Sequence, residues 1–132
     1  MSNILALSEA ATIGLHSIVL IAKEKEKLNV NQIAERIGSS KHHVAKVLQR
    51  LAKENYVSSN RGPAGGFVLK KDPKEISLLE IYEAIEGKIE TQTCPGTKET
   101  CPFGLCILGE VSTKLNAEFV SFLKNQTLNK YL

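Results

Sequence analysis

Residues 29–51 constrain this chain more than any other stretch. Val30, Ile33, Ala34 and Ile37 recur at the spacing of one helical face. Asn29, with Gln32 three residues on, reads as a capping box at the start of that helix, and Gly38 as its end. Ser40 then reads as the N-cap of a second helix, where Val44, Val47, Leu48 and Leu51 repeat the stripe. Only Gly38 and Ser39 separate the two, so the pair is a helix-turn-helix candidate. Such pairs occur in many helical proteins, and the next eighteen residues narrow the field. Tyr56–Ser59 and Phe67–Leu69 are strand-like, and Arg61-Gly62-Pro63-Ala64-Gly65-Gly66 between them is dense in turn formers. A helix-turn-helix followed directly by a β-hairpin is a winged helix.

The flanks complete a mainly α, α+β fold: a winged helix-turn-helix plus a long C-terminal dimerisation helix. Ile4 to Ala22 is apolar almost all round and reads as a buried helix, followed by a solvated connection at Lys23–Lys27. Ser77-x-x-Glu80 opens another helix that buries Leu78, Ile81, Tyr82 and Ile85 and stops at Gly87. Residues 88–105, with Pro95, Gly96, Pro102 and Gly104, read as loop. Ile107, Leu108, Val111, Leu115, Phe119, Phe122 and Leu123 then trace one apolar stripe through a final helix. A continuous apolar face needs a cover, either its own domain or a second copy of the chain, and the second copy is the favoured reading. We therefore expect a DNA-binding unit at 1–75 and a cysteine loop with dimerisation helix at 76–132.

At 132 residues, 42% apolar and 23% charged, the chain can bury a core without a disulfide framework. Its longest apolar run, Ile18–Ala22, is far below the ~20 residues that span a bilayer. Met1-Ser2-Asn3 carries no basic residue of a signal peptide, and three cysteines cannot all pair with one another. A reducing cytoplasm, with no membrane partner, is the expected setting. Net charge is +3 but unevenly placed: residues 1–75 carry net +5 and residues 76–132 net −2. Within 40–61 stand Lys41, Lys46, Arg50, Lys53 and Arg61 against the single acid Glu54. Charge alone fits a nucleic-acid contact and a solvated basic face equally well.

Read as a DNA-binding module, the first turn of the second short helix meets base edges, which singles out Ser40, Lys41, His42, His43 and Lys46. Arg50 and Lys53 lie further along and suit phosphates. Arg61 with Gly62 at the hairpin tip suits a narrow minor groove, where an arginine meets concentrated negative potential. Dimers of such modules set their reading helices about 34 Å apart, one turn of duplex promoter DNA.

Cys94, Cys101 and Cys106 are the chain's three cysteines, spaced C-x6-C-x4-C within thirteen residues. Cysteines serving as small core hydrophobes would not cluster so. Structural zinc favours closer pairs and a closed set of four. Soft thiolates also suit an iron–sulfur cluster, whose fourth position then falls to another residue, a partner chain or a small ligand. The metal-free alternative is a thiol or thiol–disulfide switch.

With the winged-helix order, the Arg61–Phe67 wing and the cysteine triplet together, the chain resembles the IscR/NsrR-type family of bacterial transcription regulators over roughly residues 5–125. Ser39–Leu48 is similar to the family's nitric-oxide-responsive branch. The resemblance implies a homodimer with crossed long helices, one 2Fe–2S or 4Fe–4S cluster per subunit, and cluster-dependent binding to promoter DNA. The six and four intervening residues between cysteines depart from the family's spacing, and Gly109 stands where some branches carry a ligand histidine. Other branches take that ligand from the partner's first helix, where a carboxylate position falls on Thr12 and a histidine position on His16. Glu9, seven residues before His16, shares its helical face. Thr12 is a poor ligand, so Glu9 or His16 of the partner subunit is the expected fourth ligand. A small electron-transfer protein and a winged-helix interaction module with signalling thiols are the competing classes. No nucleophile–base pair or phosphate loop stands out, so no enzyme is expected.

Overall fold

A computed structural model describes residues 5–90, 101–108 and 110–132. Among them the order is α1 (Glu9–Lys23), α2 (Val30–Ile37), α3 (Lys41–Lys53), β1 (Val57–Asn60), β2 (Gly66–Leu69), α4 (Leu78–Glu86) and α5 (Val111–Lys124). Short 3-10 turns at Pro73–Glu75 and Leu128–Tyr131 flank α4 and end the chain. The structure is thus the expected winged helix, with element ends set by local chemistry.

Each of the helices α1 to α4 starts at a side chain that satisfies an orphan backbone donor. Asn29 accepts from the Gln32 N–H at 2.8 Å while the Gln32 side chain accepts from the Asn29 N–H at 2.9 Å. Ser77 and Glu80 make the same reciprocal box at α4. Gly38 ends α2 with φ +71°, a left-handed conformation that sets the turn into α3. The apolar stripe at Ile4–Ala22 overestimates α1, because Ser8 caps it by accepting from Ala11 N–H at 3.0 Å. Leu5 and Leu7 precede the helix, and Ile4 lies outside the described residues.

β1 and β2 pair antiparallel in the register Val57↔Leu69 to Asn60↔Gly66, so each strand reaches one residue closer to the turn than side-chain propensity predicts. The solvated connection at Lys23–Lys27 runs directly into a structural feature that periodicity does not signal. Leu28 is buried, and its carbonyl accepts from the Phe67 N–H at 2.8 Å, which ties the entry of α2 to the wing. Tyr56, just ahead of β1, lies beneath the Lys71 ammonium, 4.4 Å from its ring centroid. Burial, and then the Glu80 carboxylate, hold its phenol above the usual tyrosine value.

One core gathers Ile13 and Ile18 of α1, Ile33 of α2, Val44, Leu48 and Leu51 of α3, and Ile76, Ile81, Leu123 and Leu128. α1 is its axis, packing on both α3 and α4. Ser17 of α1 is fully buried, and its hydroxyl finds no hydrogen-bond partner among the described residues. Removing an unsatisfied polar atom from a core and raising helix propensity act in the same direction. We expect Ser17→Ala to raise the unfolding free energy by about 1 kcal/mol, read as a higher urea midpoint at unchanged slope; a lower midpoint would show that the hydroxyl is satisfied in solution.

The final apolar stripe divides between two surroundings. Leu123 is buried and Phe119 meets Tyr82 of α4 edge-on, with centroids 5.6 Å apart. Val111, Leu115 and Phe122 on the same helix stay more than half exposed. The stripe also overestimates this helix: Ile107 and Leu108 lie in the turn before α5 and are exposed. Residues 88–90 and 101–105 carry neither helix nor strand, in keeping with the expected loop.

Candidate nucleic-acid interface and cysteine loop

α3 buries Val44, Val47, Leu48 and Leu51, and this fixes which side chains face out. Lys41, His42, His43, Lys46, Arg50 and Lys53 are all exposed, a cationic surface along one helix. Ser40 is partly committed, since its hydroxyl oxygen accepts the His43 N–H at 3.2 Å as the helix cap. His43 Nδ1 lies 3.0 Å from Glu9 Oε1 at the start of α1. Glu9, Ala10, Ile13, His43, Lys46 and Val47 together line a small hollow between α1 and α3. Arg50 is also tied to the fold, since its Nε donates to the Ala84 carbonyl of α4 at 3.0 Å.

The wing presents Arg61, Gly62, Pro63 and Ala64 as an exposed tip. Its turn is closed by the Gly65 N–H donating to the Gly62 carbonyl at 2.9 Å, with Gly62 at φ +105°. At Gly65 a β-carbon would sit 2.2 Å from the Asn60 carbonyl oxygen, so the tight tip requires glycine there. Arg61 and the first turn of α3 are therefore both carried on well-braced backbone. Helix periodicity and turn chemistry single out these residues in the sequence. They give no sign of Glu9 as a partner of His43, since the two stand 34 positions apart and no local pattern links them.

Of the cysteines, Cys101 and Cys106 are exposed and unpaired, while Cys94 and Gly109 lie outside the described residues. Among the described residues no three His, Cys, Asp or Glu side chains converge as a metal site. The two thiols nonetheless have the soft-donor chemistry an iron–sulfur cluster takes, and both are exposed, where a third ligand and a partner could reach them. Glu9 and His16, the two candidates for a ligand from α1, have different surroundings. Glu9 is engaged by His43 of its own chain. His16 is exposed, and its Nδ1 meets the Thr12 carbonyl at 2.7 Å. An imidazole that donates Nδ1–H to a carbonyl holds its lone pair at Nε2, the arrangement common among metal-ligating histidines.

The profile of the Rrf2 family, described as an iron-dependent transcriptional regulator, matches residues 7–132. The chain belongs to the Rrf2 family. It is 32% identical over 113 residues to the HTH-type transcriptional regulator IscR of Klebsiella pneumoniae, which covers 85% of this chain and 69% of that relative. Two solved structures share the Rrf2 fold closely. CymR, the global cysteine regulator of B. subtilis, superposes with a TM-score of 0.76 at 23% identity, over 96% of this chain and 95% of that one. T. potens IscR gives 0.75 at 24% identity, over 95% and 84%. The relatives are transcriptional regulators rather than enzymes. No helix among the described residues is long and apolar enough to cross a membrane.

Proposed function

We propose that this Rrf2-family chain is a cytoplasmic, homodimeric regulator whose binding to promoter DNA is controlled by an iron–sulfur cluster held by Cys94, Cys101 and Cys106. The observation that carries the DNA-binding part is the joint presentation of the exposed cationic face of α3 and the glycine-tight wing bearing Arg61. Ser40, Lys41, His42, His43 and Lys46 read base edges, and Arg61 with Gly62 enters the minor groove. Arg50 neutralises a phosphate, and its contact with the Ala84 carbonyl gives it a bracing role as well.

The uncovered half of the α5 stripe, Val111, Leu115 and Phe122, supports pairing with a second copy. Two wings on a two-fold axis then meet successive turns of the duplex. The exposed, unpaired state of Cys101 and Cys106 supports the cluster, and the iron-dependent description of the family points the same way. When bound, the cluster supplies a centre sensitive to oxidant, nitric oxide or iron supply. His16 of the partner subunit is the better-supported fourth ligand, because the Glu9 carboxylate is already engaged within its own chain. A metal-free reading, in which the same thiols act as a redox switch, is supported by the exposure of both thiols.

Purification without oxygen separates the two. We expect a coloured protein containing iron and acid-labile sulfide, with Cys101→Ser and Cys106→Ser each losing most of both, and DNA retention in a gel that differs between loaded and stripped protein. Colourless protein whose DNA binding responds only to thiol oxidants would establish the switch instead. Loaded protein that retards no promoter DNA would reject regulation at DNA altogether.

A further inference from the structure

The reach of Glu9 from α1 to the reading face of α3 bears on which base His43 can select. Glu9 Oε1 lies 3.0 Å from His43 Nδ1, and both side chains are more than half exposed. A carboxylate oxygen only accepts, so the proton of this hydrogen bond resides on Nδ1. In the neutral ring the other nitrogen, Nε2, is then a bare acceptor. His43 is also held at its backbone, where the N–H donates to the Ser40 cap. Lys46, one turn on, lines the same hollow.

We propose that Glu9 is a specificity-determining positioning residue: by fixing the Nδ1–H tautomer of His43 it makes Nε2 select a base that donates a hydrogen bond. This rests on the DNA-binding reading above. In the major groove the exocyclic amines of adenine and cytosine are donors, whereas guanine offers only N7 and O6 acceptors. In its neutral form His43 therefore favours adenine or cytosine over guanine at the position it faces. Without Glu9 the ring is free to exchange tautomers and donate to guanine as well. The charge of Glu9 has a separate effect, since a carboxylate near the backbone phosphates weakens all sequences alike.

The test uses the full chain and a randomised duplex library, with Glu9→Ala, Glu9→Gln, His43→Ala and the Glu9→Ala/His43→Ala pair. Wild type is expected to disfavour guanine about tenfold at one position of each half-site. Glu9→Ala should abolish that preference alone, leaving other positions intact, and should have no further effect on it in the His43→Ala background. Glu9→Gln, which keeps an acceptor oxygen, should retain most of it. Nitrogen-15 spectra should show Nδ1–H in wild type and mixed tautomers in Glu9→Ala. Preference that survives Glu9→Ala, or an Nε2–H ring in wild type, overturns the inference alone. A wild type with no base preference anywhere overturns the DNA-binding reading and the inference with it.

Discussion

Leu128→Ala is expected to lower the unfolding free energy by about 2–5 kcal/mol, a large part of what holds a domain of this size together. Leu128 lies in the last 3-10 turn yet is fully buried, in the same core as Ile13, Leu48 and Ile81. Its backbone is clamped as well. The Leu128 N–H donates to the Ile76 carbonyl at 3.0 Å, and the Leu78 N–H donates to the Gln126 carbonyl at 2.8 Å. The C-terminal segment therefore pairs with the entry of α4, and its side chain fills a site that α1 and α4 cannot close without it. Truncation to alanine leaves a cavity in the core, and the two backbone hydrogen bonds limit how far the segment can settle into it. Urea unfolding followed by circular dichroism measures the loss. Tyr131→Ala, three residues on and exposed, should stay within about 0.5 kcal/mol of wild type. Equal midpoints for the two variants would mean that the terminus is undocked in solution.

Gly65→Ala should cost DNA affinity at least as much as Arg61→Ala, on the order of 1–3 kcal/mol or about 5- to 150-fold. The added methyl would lie 2.2 Å from the Asn60 carbonyl oxygen and 2.9 Å from that of Gly62. Both obstacles are backbone, so no rotamer change relieves them and the turn must open. Opening it displaces Arg61 and breaks the Gly65-to-Gly62 hydrogen bond that closes the tip. The tip residues are exposed and lie outside the core, so the melting temperature should change far less than affinity. Ala64→Ser, an exposed neighbour, serves as the control. Fluorescence anisotropy with promoter duplex, beside a thermal melt, separates the effects. Unchanged affinity for Gly65→Ala would remove the wing from the binding surface.

Much of the winged-helix architecture was legible in the chain. The α2 and α3 stripes, the Asn29–Gln32 and Ser77–Glu80 boxes, the Gly38 stop and the Arg61–Gly66 turn all appear where periodicity and turn chemistry predict them. Apolar stripes misjudged two helix starts, at Leu5–Leu7 and at Ile107, because hydrophobic runs report burial or pairing and not where a cap starts the helix. The cysteine triplet is a pattern of sequence, and two of its members, Cys101 and Cys106, prove exposed and unpaired.

Interactions within about one helical turn, or across a tight hairpin, depend on which residues are neighbours along the chain, and these are written in its order. Four contacts escape that logic: Leu28 on Phe67, Arg50 on Ala84, Leu128 in the core, and Glu9 on His43. Each joins segments far apart in the chain, and nothing in the spacing of apolar residues says which remote polar atom or void a side chain will meet. Only the packed fold decides these meetings, as where α1 packs on α3 and brings Glu9 to His43.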